Sequence, residues 1–445
     1  MKKLILAATL LSAVATPGVA DAKKRPVPAP VFVAPRIAPS DPIEAFYFHR
    51  SDAPIWLRSP DSKAALNALP AMLRRAQVEG LTNGPQIAAA VEAATLRAAS
   101  GNPADVLAAE YAASKAWVAY VQMVKKAPAG MLFGYPHLAP QGGRPDQILL
   151  TAGAAPSLLQ HLQRTASPNA VYAQLRDAAW SGMQAAPGTG PDPRLVSNLE
   201  RARVLPSGGR YILVDAASAR LTMFENGQPV DSMKVVVGKQ ESPTPMIASM
   251  IYYATFNPYW NVPGNLIVKN IGPKALKGGE SYLKPQGFQV MSDWSDNAQV
   301  VPSSEVDWAS VASGQKQIRV RQLPGSTNSM GKMKFNFRNS EDIYLHDTPQ
   351  KEYFQKTQRT LSNGCIRLED AKRLGRWLMQ AEPVPPSPEP ELHVKLPQGV
   401  PVYVTYLTAQ PGADGKITYL SDLYGWDGRP DRQVAATAAV ARPGI

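Results

Sequence analysis

The sequence of 445 residues has one cysteine, Cys365, and five histidines. A lone cysteine cannot close a disulfide within its own chain, so a disulfide-stapled scaffold is excluded. Histidine is too sparse for ligand-like spacing, so no metal cluster is expected, and His137 and His161 read as structural or surface residues. There is no glycine-rich phosphate-binding loop either, and no cofactor is expected. Long apolar runs are missing: Leu4 to Ala15 stops well short of the ~20 residues that a membrane-spanning helix needs. Like charges never gather in blocks of five, and no nucleic-acid motif is visible, so nucleic acid is not an expected partner.

Lys and Arg number 47 against 35 Asp and Glu, a net charge of +12 spread along the chain. Such a surface suits an anionic envelope polymer, and it equally suits simple solvation. Met1-Lys2-Lys3, the apolar run and Ala20-Asp21-Ala22 have the order of a secretory signal peptide over 1–22, which leaves no membrane anchor after cleavage. Export places the thiol in an oxidising compartment, where cysteines usually pair. Cys365 is then an intermolecular link, an inert buried residue or a reactive thiol.

The chain divides by pattern. Residues 23–42 form a Pro-rich spacer, and 43–205 read as a helical scaffold. Ser62 is placed to cap a helix carrying Leu66, Leu69, Met72 and Leu73. Asn102-Pro103, Ser167-Pro168 and Asp192-Pro193 give further starts, and 127–153 reads as an irregular loop. From Arg210 the period changes to two, with Asn226-Gly227 as a hairpin turn. The second unit, 206–382, therefore reads as mainly antiparallel strands, and the whole as α+β. Its polar stretch 263–322 is too long for a plain loop and predicts an inserted capping subdomain. Leu368 to Ala381 predicts a helix starting just after the cysteine. Residues 383–426 read as a Pro-rich hinge with a strand extension, and 427–445 as a disordered tail.

Chemistry concentrates between Ile343 and Arg367. His346 ends the strand pattern Ile343-Tyr344-Leu345-His346, and Cys365 follows 19 residues later (365 − 346) in Ser362-Asn363-Gly364-Cys365-Ile366-Arg367. That separation lets imidazole and thiol converge across a sheet edge as base and nucleophile. Gly364 frees the backbone to present N–H groups to an acyl oxyanion.

His346-Asp347-Thr348-Pro349 followed by Ser362-Asn363-Gly364-Cys365-Ile366-Arg367 resembles the catalytic motif of the L,D-transpeptidases, the YkuD or ErfK/YbiS/YcfS/YnhG domain, in its YcbB-like branch. Val236-Val237-Gly238-Lys239 with Thr244-Pro245, and Asn257 to Pro263, agree with it. The resemblance implies a β-sandwich-like or barrel-like domain with the Cys–His pair at one end. It also implies that Cys365 attacks the third residue of a tetrapeptide stem and expels the terminal D-Ala. The amine of a second stem then resolves the thioester into a 3→3 cross-link. His346 would be the base, lowering the thiol pKa through an ion pair. Its partner would be the Asp347 carbonyl or carboxylate, and Gly364 and Cys365 would supply the oxyanion N–H groups. Arg367 would pair a substrate carboxylate or an internal one. Ser362, Asn363, Tyr344 and Trp260 are candidate substrate contacts; Ser362 equally suits shaping the turn alone, and Tyr344 and Trp260 equally suit the core. Many members carry His where this chain has Asn363, which also donates hydrogen bonds.

The resemblance implies peptidoglycan stem peptides as partners, acylation by carbapenems and a periplasmic or envelope location. It leaves open an activator or wall-synthesis protein as a further partner. The same residues also suit an L,D-carboxypeptidase, a cross-link-cleaving amidase, attachment of a protein to the wall, or a wall-binding scaffold with a relic site.

Overall fold

The computed structural model describes residues 38–412, 414 and 416–434. The expected signal segment 1–22, most of the Pro-rich spacer and the chain end after 434 lie outside them. Eight helices of the N-terminal part are α1 Pro42–His49, α2 Pro60–Arg75, α3 Gly84–Ala98, α4 Pro103–Val124, α5 Pro145–Ala154, α6 Leu158–Ala166, α7 Ala170–Ala185 and α8 Pro193–Ala202. Asp41, Ser59, Asn102 and Asp192 each cap a helix whose first residue is Pro. The side-chain oxygen satisfies an orphan N–H, and Pro has no N–H to leave unpaired.

Three local expectations need correction. The cap of α2 is Ser59, and the Ser62 hydroxyl instead bonds Ser59 Oγ at 2.6 Å. Ser167 closes α6, and Asn169 caps α7 with its side chain on Tyr172 N–H. The stretch expected as an irregular loop holds a short strand, β1 Leu132–Phe133, and α5. No helix of the described residues is long and apolar enough to cross a membrane.

Helices α1 to α6 share a core built on Trp56, Leu69, Trp117 and Tyr120. Helices α7 and α8 contribute Tyr172, Leu175, Leu195 and Leu199 to a different core, that of the sheet. The helical stretch expected over 43–205 thus serves two cores. Buried Glu79 links them: its carboxylate accepts from Tyr120 Oη at 3.0 Å and Tyr172 Oη at 2.6 Å, and Arg203 donates to its carbonyl at 3.0 Å.

The sheet strands are β2 Tyr211–Asp215, β3 Arg220–Glu225, β4 Gln228–Gly238 and β5 Ile247–Phe256. After an insertion come β10 Met333–Phe337, β11 Tyr344–His346, β12 Thr360–Ser362, β13 Ile366–Leu368 and β14 Leu392–Thr405. Asn226 (φ 51°) and Gly227 (φ 77°) make the left-handed turn between β3 and β4 that the Asn-Gly pair predicts. Pairing runs β5-β10-β11-β13-β4-β3-β2-β14, and β14 pairs again with β5, so the sheet closes into a barrel. The β11–β13 and β2–β14 junctions are parallel, and the other joints of the ring are antiparallel.

Three more expectations change here. The strand read as an extension of a hinge is the closing strand of the barrel. Between the cysteine and the helix Ala371–Met379 lies β13, so that helix begins later than expected. The tail read as disordered from Asp427 is built into the fold as far as residue 434, with Asp427 ion-paired and Gln433 buried.

The insertion between β5 and β10 carries β6 Trp260–Asn261, β7 Phe288–Met291, β8 Val300–Val301 and β9 Arg319–Gln322, ordered β6-β9-β7-β8. Short helical turns fill Gly264 to Leu283, and Ile267, Ile271, Trp308, Val311 and Val320 give it a core of its own. The expected subdomain is present, and it begins at Trp260 rather than at 263.

Candidate active site

The parallel junction β11–β13 organises the site. Leu345 lies opposite Ile366 and His346 opposite Arg367, so Cys365, one residue before, comes level with Tyr344. Leu345, Ile366 and Phe335 are buried in the barrel core. Alternation then points Tyr344, His346, Cys365 and Arg367 to the outer face together. Thr255, Lys334, His346 and Arg367 form one cross-strand row, and Asn336, Tyr344 and Cys365 the next. Thiol and imidazole are diagonal neighbours on adjoining strands.

His346 is 2 % exposed, and its Nδ1 lies 2.6 Å from the carbonyl oxygen of Asp347. A carbonyl can only accept, so Nδ1 carries the proton and Nε2 keeps its lone pair. Burial, aided by the neighbouring Arg367 cation, pulls the imidazole pKa down to about 3. Of the two partners expected for the ring, the carbonyl is the one used. The Asp347 carboxylate instead accepts from Lys332 N–H at 2.9 Å and from Lys351 Nζ at 2.8 Å. Gly331 (φ 61°) makes room for it, since a Cβ there would come within 2.3 Å of Asp347 Oδ2.

Cys365 Sγ lies 3.7 Å from the Asp342 carbonyl and also meets the N–H and hydroxyl of Tyr344. Burial pushes the thiol pKa up, against the opposing pull of Tyr344 and of the Arg367 charge. The resting pair is therefore a neutral thiol beside a neutral imidazole, not the ion pair expected from the motif. Tyr344 packs edge-on to His346, ring centroids 5.7 Å apart.

The turn before the cysteine is held from inside. Ser362 Oγ donates to the Cys365 carbonyl at 2.6 Å and accepts from Gly364 N–H at 3.2 Å. Of the two roles expected of the Ser362 hydroxyl, shaping the turn is the one these bonds serve, and one expectation changes: the Gly364 N–H is already engaged. Asn363 is half-buried in the same turn. Trp260 sits in the insertion, tilted against Phe288 at 6.3 Å, and belongs to that core.

Arg367 donates to Gln350 Oε1 at 2.5 Å and stacks on Tyr353, 5.3 Å from the ring centroid. It makes no ion pair with a carboxylate among the described residues, and the Tyr353 side chain and, more remotely, Glu352 are the groups that support its charge. Among the described residues no group of three or more His, Cys, Asp or Glu could hold a metal ion.

Sequence reasoning missed Tyr353, and it missed the part played by Thr244. Thr244 Oγ1 accepts from Gly238 N–H at 2.8 Å and donates to the Gly364 carbonyl at 2.7 Å. Tyr424 Oη donates to the Gly238 carbonyl at 2.7 Å, extending the clamp to the C-terminal segment. Thr244 belongs to a quoted motif, yet nothing local marks its partner 120 residues away. Thr244→Val keeps the volume and leaves both buried groups unpaired, which costs about 1–3 kcal/mol for each. The melting temperature should fall, and acylation of Cys365 should slow in protein that remains folded; no change in either would remove the clamp from this account.

Two family models match the chain. The model of the L,D-transpeptidase catalytic domain, YkuD, matches residues 209–403, and that of a scaffold domain matches 41–178. The first ends inside β14, in keeping with that strand's place in the barrel. The "Putative L,D-transpeptidase" of Haemophilus influenzae is 26 % identical over 390 residues, 86 % of this chain and 77 % of that protein. A solved L,D-transpeptidase from Mycobacterium smegmatis overlaps at 13 % identity and a TM-score of 0.23, covering 45 % of this chain and 59 % of its own. The Ldtfm-avibactam carbamoyl enzyme overlaps at 10 % identity and a TM-score of 0.23, covering 52 % and 62 %. The match thus spans less than two thirds of either solved chain.

Proposed function

Because the chain carries the L,D-transpeptidase catalytic domain behind a scaffold domain, and so belongs to that family, we propose that it cross-links peptidoglycan stems through a thioester on Cys365. The observation that carries this reading is the tautomer of His346. With Nδ1–H given to the Asp347 carbonyl, the lone pair on Nε2 is available on the face that holds the thiol.

As Sγ attacks the carbonyl of the third stem residue, its proton passes to His346 Nε2 and the S–C bond forms. The neutral resting pair favours transfer during the attack over a preformed thiolate. The developing oxyanion is held by the Tyr344 hydroxyl, which already faces the sulfur, and by Cys365 N–H; Gly364 N–H is committed to Ser362. The C–N bond then breaks, and the imidazolium returns its proton to the leaving D-Ala amine. An acceptor amine attacks the thioester, the thiol leaves with a proton passed through His346, and a 3→3 amide bond results. Arg367 pairs a substrate carboxylate through its planar fork. The substrate places the enzyme in the periplasm or cell envelope. An activator or wall-synthesis protein would be a second partner there.

The test is incubation with disaccharide-tetrapeptides, followed by mass spectrometry. D-Ala release with a cross-linked dimer is expected, and Cys365→Ala should abolish both. Tripeptide without dimer would assign the hydrolase, with water in place of the amine. No product from folded protein would overturn the reading.

A further inference from the structure

Two cations flank the imidazole. In the outer row that crosses the barrel, His393 of β14 lies opposite Thr255, Thr255 opposite Lys334, Lys334 opposite His346, and His346 opposite Arg367. Neighbouring strands are about 4.8 Å apart, so Lys334 and Arg367 stand one strand to either side of the ring. Both cations add to burial in pulling its pKa down. At rest this is harmless, because the ring is neutral. During the attack it is not. The proton from Sγ turns His346 into a third cation in the row, and like charges repel strongly where water is scarce.

The neighbouring carboxylates are not equally available to offset this. That of Asp347 is ion-paired with Lys351 at 2.8 Å and also accepts from Lys332 N–H. Lys334 has Glu391. Its Nζ lies 3.2 Å from one carboxylate oxygen and 3.3 Å from the other, and the lysine side chain is only 13 % exposed. Glu391 is itself fixed in place. Its Oε1 accepts from Tyr259 N–H at 2.6 Å, at the root of the insertion, and its own N–H donates to the Asn257 carbonyl at 3.0 Å. Its backbone is left-handed, with φ 54°, a conformation that a residue with a side chain keeps only where the surroundings enforce it. The charge of Glu391 also reaches the site. After burial, Cys365 and Asp342, it helps hold the Tyr344 hydroxyl well above its ordinary pKa, so that hydroxyl stays a donor.

We propose that Glu391 is a positioning residue for the transfer reaction: acting through Lys334, it supplies the counter-charge that lets His346 become an imidazolium. The proposal rests on the transfer reaction above and adds to it the group that cancels one of the two flanking charges. The substrate carboxylate on Arg367 cancels the other, so the base reaches full strength only with the donor bound.

The test measures kcat and KM for D-Ala release from a disaccharide-tetrapeptide by the full chain. Glu391→Gln keeps an oxygen for Tyr259 N–H and for Lys334 but loses the charge. Its kcat should fall about tenfold, with KM within about twofold of wild type. Adding Lys334→Met removes the stranded cation and should restore kcat to within about threefold of wild type. A merely structural bond would stay lost in the double variant. A double variant no faster than Glu391→Gln would therefore overturn the proposal, as would a wild-type kcat in Glu391→Gln itself. If wild-type protein releases no D-Ala, the transfer reading fails by itself. The counter-charge is then judged on the imidazole, by nitrogen NMR of histidine-labelled Cys365→Ala protein. The His346 titration midpoint should rise by about one pH unit or more with Lys334→Met, and adding Glu391→Gln should reverse at least half of that rise. A midpoint that neither change moves would overturn the proposal.

Discussion

His346→Ala slows acylation of Cys365 by about 10²–10⁴-fold at pH 7, the usual worth of a positioned general base. The shape of the pH profile should change with it. In the folded protein the imidazole pKa lies at about 3 and the thiol pKa above its ordinary value. Across pH 5 to 8 both groups keep one protonation state, so wild-type acylation should be nearly flat. Without the imidazole only the thiolate reacts, and its fraction grows tenfold per pH unit below the thiol pKa. The variant should therefore rise steeply with pH and recover part of the loss in alkali. Acylation by a carbapenem, followed by the mass of the intact protein, reads both curves. A wild-type rate that climbs through pH 5 to 8 would mean a thiolate mechanism instead. The same pKa has a stability consequence. The unfolded chain binds a proton on this imidazole below about pH 6.5 that the folded chain refuses until about 3, so stability drains as pH falls through that window.

The chemistry was legible because it is written locally. Cys365, Gly364 and His346 stand in motifs, and the alternation of Tyr344 and His346 already places them on one face of a strand. The partner of the imidazole was narrowed to two groups of one residue, and the structure chooses the carbonyl because two lysines occupy the carboxylate. What stayed hidden depends on burial or on distant strands. The thiol pKa rises through enclosure, which no motif encodes. The Ser362 hydroxyl takes the Gly364 N–H because the turn folds back on itself. In the fold, period-two runs gave the strands but not the closure of the barrel, since β14 pairs β5 and β2 across long separations. Caps were read correctly where Pro follows the capping residue, as at Asn102 and Asp192. At Ser167-Pro168 that rule failed because Asn169 offers a better acceptor one residue beyond the proline.

Asp427→Ala is the substitution with the largest expected effect on stability, about 3–5 kcal/mol, because it strands a buried cation. Arg201 of α8 is 2 % exposed, and its Nη1 lies 2.7 Å from Asp427 Oδ1 and 3.0 Å from the Tyr406 carbonyl. Asp427 Oδ2 meanwhile accepts from Thr408 Oγ1 at 2.7 Å and faces Arg194 Nε at 3.3 Å. One carboxylate thus ties α8 to the segment that follows β14. With it gone, the guanidinium retains the Tyr406 carbonyl, the Gln433 Oε1 at 3.3 Å and the Tyr406 ring, 5.3 Å away, but no counter-charge. Burying both charges carries its own desolvation cost, so Asp427→Leu with Arg201→Met should recover much of the loss, whereas two independent contacts would simply add. Urea unfolding of the three variants reads this directly. A loss below about 1 kcal/mol for Asp427→Ala would mean that the pair behaves as a solvated surface bridge. A loss that the double variant repeats would mean that the helix is held by contacts other than charge. In either case the Arg201–Asp427 pair would cease to be the tie between α8 and the C-terminal segment, and that segment would be held to the barrel by contacts such as Tyr424 Oη on the Gly238 carbonyl beside the cysteine turn.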